Sequence, residues 1–152
     1  PARILGSFAI VYIFTGLSTL THELSHAFAV KHFKHRVNGF GLGWYWVGPI
    51  AFCDTTDILL APPKQRMVVN LAGIYTDAIW CSALAIIAYY THHPLFSLLL
   101  WLFVLLNYIA VLRNLNPVLD LDGYYMVIDL TEEPDLREKS INWLTSHAFR
   151  AF

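Results

Sequence analysis

Three long apolar runs dominate the chain and leave it few ways to fold. The first covers about Ile4 to Val30, the second Met67 to Tyr90 and the third Leu95 to Leu112. Each reaches the roughly 18–20 residues that a helix rising about 1.5 Å per residue needs to cross about 30 Å of hydrocarbon. Buried helices of a large soluble protein are the other way to use such runs, but a chain of 152 residues has too little polar surface to enclose three of them. Composition agrees: 57% of residues are hydrophobic and 14% charged, against roughly 45–50% and about 25% in a soluble domain. The expected fold is an all-α membrane protein with a core of three transmembrane helices. Residues 1–152 are expected to form a single membrane-embedded domain, a piece of a longer chain whose first run is a retained span and not a removable signal. The net charge of −1 supplies no basic field, which excludes nucleic acid as a partner. Cys53 and Cys81 lie far apart and form no Cys-x-x-Cys pair, so they do not read as a zinc ribbon.

The loops orient the spans. Lys31, Lys34, Arg36, Lys64 and Arg66 lie between the first and second runs, and Arg113 follows the third. The turn at Thr91, His92, His93 and Pro94 carries no Lys or Arg. The positive-inside rule therefore puts the first loop and the end of the third run on the cytoplasmic side, with Arg3 alone opposing. Within the first loop, Asn38 to Thr56 is aromatic, Gly-rich and β-prone. It predicts a membrane-associated β-hairpin or re-entrant strand pair over Phe40–Phe52, with Gly48-Pro49 as the turn. Trp44, Tyr45 and Trp46 serve equally as an interfacial aromatic anchor. Beyond the third run, Tyr124 to Leu130 is apolar again. The polar tail from Thr131 places Trp143, Leu144, Ala148, Phe149 and Phe152 on one side, which predicts a C-terminal amphipathic segment or the start of a further packed helix.

One run carries chemistry. His22, Glu23, Leu24, Ser25 and His26 form a His-Glu-x-x-His motif in the last third of the first run. On a helix the two histidines are one turn apart and share a face, so both imidazoles reach one metal, and Glu23 stands ready to take a proton from water. A surface helix with paired histidines is the plain alternative. It fits poorly here, because an ionisable Glu inside an apolar run costs several kcal/mol unless paired, metal-bound or wetted. Catalytic zinc takes three protein ligands and keeps one position open. Asp120 and Asp122 are the candidates for the third, since they follow the cytoplasmic end of the third run while the histidines lie near the cytoplasmic end of the first. Taken alone, Asp122-Gly123 would read as a turn.

With Asn116-Pro117 and Leu121-Asp122-Gly123 about a hundred residues after the motif, the chain resembles the site-2 protease family of intramembrane zinc metalloproteases over about Ile4 to Ile128. The stretch from Asn116 to Leu130, with Pro134, Asp135, Leu136, Arg137 and Glu138, is similar to a bacterial branch of peptide zinc metalloproteases often linked with secretion or peptide export. The resemblance implies one zinc ion held by His22, His26 and Asp122, Glu23 as general base, and Asn116 holding the substrate backbone or oxyanion. It implies a membrane protein or peptide as substrate, received as an added strand on the hairpin, and a multi-pass protein of the bacterial cytoplasmic membrane with its site near the cytoplasmic face. Two departures stand out. Ser25 replaces a common Gly, and Asp77 follows Ala72-Gly73 where many relatives have Asn.

Asn70, Gly73, Asp77 and Cys81 form a small, polar stripe on the second run. Asp77 is there either as an acid bonded to a ligand histidine or as an interhelical hydrogen bond, and Asp120 is a further candidate for the ligands' surroundings. Asn107 reads as helix-packing glue. His32, His35, His92 and His93 read as interfacial, and His147 carries no signal. Two other functions remain in play. A membrane di-iron oxidase also uses a His-x-x-x-His box, although only His22, His26, His32 and His35 could share one face. A catalytically silent peptide-binding or export accessory protein would need no intact Glu23.

Overall fold

The computed structural model describes residues 2–45 and 48–148. Most of them are helical. The elements run α1 (Ala2–His32), β1 (Gly39–Tyr45), β2 (Gly48–Asp54), a short 3₁₀ turn (Thr56–Leu60), α2 (Pro63–Tyr90), α3 (Pro94–Asn114), α4 (Asp122–Thr131) and α5 (Leu136–Ala148). Proline sets the starts of α2 and α3, where a missing N–H is harmless and φ is already helical. His93 caps α3, its Nδ1 accepting the Phe96 N–H at 3.3 Å. At the end of α1, Lys34 takes a left-handed φ of 63°. The His35 N–H then closes on Val30 O and the Lys34 N–H on Lys31 O, the paired bonds of a Schellman stop.

Among the described residues, two helices, α2 and α3, are long and apolar enough to cross a bilayer. The 31-residue α1 matches them in length, but from Thr15 onward it carries Thr15, Ser18, Thr19, Thr21, His22, Glu23, Ser25 and His26 and is correspondingly less apolar there. Outward faces of α2 and α3 are covered with exposed apolar side chains, among them Tyr75, Ile79, Ile86, Leu98, Trp101, Leu105 and Ile109.

The three helices pack on one another, α2 in the middle. Toward one end, Leu84, Ala88, Leu100 and Phe103 form a core joined by Phe14 and Trp80. Toward the other, Val30, Val69, Ile58 and Ala61 seal the exit of α1. Phe103, Leu100, Val30 and Val69 are fully buried. Polar bonds pin α1 to α2 between the cores: Trp80 Nε1 donates to Thr21 Oγ1 at 2.7 Å, and Ser25 Oγ meets Thr76 Oγ1. Ser25 thus fastens two helices.

The hairpin forms where the aromatic, Gly-rich segment predicts it, antiparallel with Gly39 opposite Asp54 and Tyr45 opposite Gly48. Gly48 and Pro49 are not the expected turn but paired strand residues, and Trp46 lies outside the described residues. A two-stranded sheet has only edge strands, which is why Pro49 is accommodated. Gly41 leaves room for the Phe52 ring, which a Cβ would meet at 2.5 Å. Strand β2 packs on α1, whereas β1 makes its extensive contacts with β2 alone among the described residues.

Asp122-Gly123 is not a turn but the opening of α4, which packs against α2. Gly123 also lets α4 start close against the end of α3, because a Cβ there would stand 2.6 Å from Asn114 O and Leu115 O. The polar tail forms α5, exposed along almost its whole length. Phe149 and Phe152 of its expected apolar side lie outside the described residues.

Candidate metal centre

On α1, His22 and His26 point the same way, and both are buried. Their Nε2 atoms are 3.1 Å apart. Asp122, the first residue of α4, closes the triangle with Oδ2 at 3.2 Å from His22 Nε2 and Oδ1 at 3.6 Å from His26 Nε2.

The far side of each ring is also fixed. His26 Nδ1 lies 2.7 Å from Val69 O, which can only accept, so this ring carries its proton on Nδ1. His22 Nδ1 lies 2.8 Å from Asp77 Oδ2. Asp77 is buried, and its Oδ1 accepts from Ser18 Oγ at 3.2 Å, which in turn accepts from Asn107 Nδ2 at 3.0 Å. One polar chain thus runs from α3 through α1 to the acid on α2 that holds His22. With both Nδ1 atoms donating outward, two imidazole lone pairs and a carboxylate face one another across 3.1–3.6 Å. Such a set of acceptors could hold a cation between them.

The donor set suits zinc. His, His and Asp are common zinc ligands, and a tetrahedral ion with bonds of about 2.0–2.1 Å spaces its ligand atoms about 3.3 Å apart. Space is kept for it as well. Gly73 of α2 faces the imidazoles, and a Cβ there would stand 2.5 Å from His26 Nε2 and 2.6 Å from His22 Nε2. Among the described residues, His22, His26 and Asp122 are the group of three so disposed.

A cavity of about 560 Å³ opens on the cluster between α1 and α3. Glu23 lines it beside His22 and Asp122, with Ile50 and Ala51 of β2 forming another wall. The Cys53 backbone N–H also approaches the Glu23 carboxylate. Burial, reinforced by Glu23, pushes the Cys53 thiol up and keeps it protonated.

Neither Asn116 nor Asp120 lines this cavity. Asn116 Oδ1 accepts the Val118 N–H at 2.9 Å and shapes the loop. Asp120 is exposed and pairs with Arg137 Nη1 at 2.6 Å. Two amides do line the cavity: Asn107, whose Nδ2 is given to Ser18, and Asn114, half-buried in the last turn of α3. Helical phase could have identified it: Phe103, Asn107, Ala110 and Asn114 all line the cavity at spacings of four, three and four. The same phase on α1 links Thr15 and Ser18 to His22.

Comparison with known proteins fits this chemistry. The chain is 26% identical over 138 residues, 89% of its length, to a Bacillus subtilis (strain 168) protein named "Putative peptide zinc metalloprotease protein YydH". It spans about half of that relative, 53% of its length. No family model and no solved structure matches the chain.

Proposed function

We propose that the chain is the core of a zinc-dependent intramembrane endopeptidase. The observation that carries this is the convergence of His22, His26 and Asp122 at metal-ligand spacing, beside a cavity that His22, Asp122 and Glu23 line. The name of the relative supports the same chemistry. Bound zinc supplies Lewis acidity, lowering the pKa of water to about 7 and polarising a carbonyl.

The protein's own groups do the rest. Glu23 takes the proton from the attacking water at its carboxylate and returns it to the leaving amine. Asp77 and Val69 O hold the two rings in the Nδ1–H form, so that both Nε2 lone pairs face the ion. The Asn114 amide donates to the substrate carbonyl oxygen as negative charge grows on it. Asn116, the amide expected from the resemblance, instead shapes the loop that delivers Asp122.

Helices α1, α2 and α3 cross the bilayer together. The exposed apolar faces of α2 and α3 support this, since such a surface would be a liability in water. Basic residues between α1 and α2 put the site near the cytoplasmic face. The hairpin lies against that membrane face and offers a sheet edge to substrate beside the cavity. A helical membrane substrate must unwind before a peptide bond can be attacked, and an edge strand satisfies the backbone groups set free. Substrates are membrane proteins or exported peptides, and export components are the natural partners.

The test is Glu23→Gln in the full-length protein. Zinc is retained, and cleavage of co-expressed single-span membrane peptides, read by mass spectrometry, is abolished. Undiminished processing removes Glu23 from the role of base.

A further inference from the structure

We infer that Asp129, gripped by Arg66 and Asn70, is the positioning residue that sets where Asp122 stands; this rests on the reading of Asp122 as a metal ligand. The helix that carries Asp122 is only ten residues long, too short to hold itself in water or at a membrane surface. Its N-cap, Leu121, offers no side-chain hydrogen bond. Its placement must therefore come from what it packs against, chiefly α2, with Gly123 set against the end of α3.

The contact is polar where an apolar one would have sufficed. Asp129 is buried, with Arg66 Nε at 2.8 Å from Oδ1 as an ion pair whose N–H is not aligned for a hydrogen bond, and Asn70 Nδ2 donating to Oδ2 at 3.4 Å. Asp122 and Asp129 are seven residues apart, two helical turns, and so share the face of α4 turned to α2. Arg66, Asn70, Gly73 and Asp77 follow one another on α2 at spacings of four, three and four, again a single face. That stripe meets Asp129 through its first two members, leaves room for the imidazoles at Gly73 and bonds His22 at Asp77. One face of α2 thereby registers both halves of the site against each other.

An apolar contact tolerates sliding and rotation of a short helix. A buried carboxylate paired with a guanidinium resists such movement, because a shift strands a charge away from water. Asp129 and Arg66 touch no ligand atom, and their effect reaches the metal only through the backbone of α4.

The test is metal binding by the full-length protein in detergent, with Zn²⁺ affinity measured by chelator competition and the site read by the d–d spectrum of Co²⁺. Asp129→Leu keeps the packing volume but removes the register. Its zinc affinity falls at least tenfold and the Co²⁺ spectrum changes, while helix content stays at the wild-type level. Asn70→Ala and Arg66→Lys, which leave the carboxylate partly held, give smaller losses in the same direction and serve if Asp129→Leu does not fold. The double variant Arg66→Met with Asp129→Leu loses no more than Asp129→Leu alone. Wild-type affinity and spectrum in Asn70→Ala, Arg66→Lys and any folded Asp129→Leu overturn the inference while leaving the metal centre intact. A wild-type protein that binds neither ion overturns the metal centre itself, and the inference with it.

Discussion

Gly73 faces His26 so closely that a Cβ on the glycine would stand 2.5 Å from the imidazole Nε2. The middle helix of the bundle is therefore one wall of the candidate metal centre, close against the nitrogens that would hold an ion. Glycine is required there by space and not by backbone conformation, since the residue lies inside a regular helix.

Gly73→Ala separates these two roles. Alanine favours the helix by about 1 kcal/mol, so helix content should not fall. Overpacking of about 1–3 kcal/mol, placed on the ligand atoms, becomes roughly a tenfold to hundredfold loss of zinc affinity. Chelator competition with circular dichroism on the same sample checks both. Wild-type zinc affinity in this variant would mean the imidazoles have room to move.

Asp77 holds His22 from behind, and Asp77→Ala removes the acceptor for its Nδ1 proton. Loss of such a partner weakens metal affinity by about 10–100-fold. Asp77→Asn keeps an acceptor without the charge and should fall between the two. Zinc titration of the three proteins orders them, and equal affinities would reduce Asp77 to helix packing.

Two neighbouring amides should behave differently. Asn114→Ala is expected to lower kcat by about 10²–10³-fold with zinc retained, as loss of one oxyanion donor does. Asn116→Ala breaks the bond to Val118 and should act on the loop, lowering stability by about 1 kcal/mol. Metal content and kcat measured together distinguish the two, and a kcat loss confined to Asn116 would reverse the assignment.

Outside the bundle, Asp57 ties the end of α1 to the turn after the hairpin. The Arg36 backbone N–H at 2.8 Å and His35 Nδ1 at 3.1 Å hold its carboxyl below the usual range. A carboxylate depressed on folding stabilises above its unfolded pKa of about 4, and that stabilisation is lost as pH falls through the folded value. Asp57→Ala should therefore melt below wild type at neutral pH, with the two curves converging under about pH 4. A gap that persists unchanged in acid contradicts the brace.

Much of the centre was legible because it is periodic. His22, Glu23 and His26 announce themselves by spacing, and Asp77 by its place in a polar stripe. The choice between Asp120 and Asp122 was not local, for it depended on α4 beginning at Asp122 and on Gly123 allowing close approach to the end of α3. Asn114 was overlooked because α3 continues through it, a boundary that the downstream Asn116-Pro117 obscured. Gly48-Pro49 looked like a turn because proline is rare in strands, yet an isolated hairpin has only edges. The grip of Arg66 on Asp129 joins residues sixty-three positions apart and leaves no trace in either segment alone.

The most direct measurement is metal stoichiometry of the purified full-length protein, alongside Glu23→Gln and His26→Ala. One zinc per chain is expected in wild type and in Glu23→Gln, with zinc lost from His26→Ala. Two irons per chain, or undiminished zinc in His26→Ala, would contradict a zinc centre built on His22, His26 and Asp122.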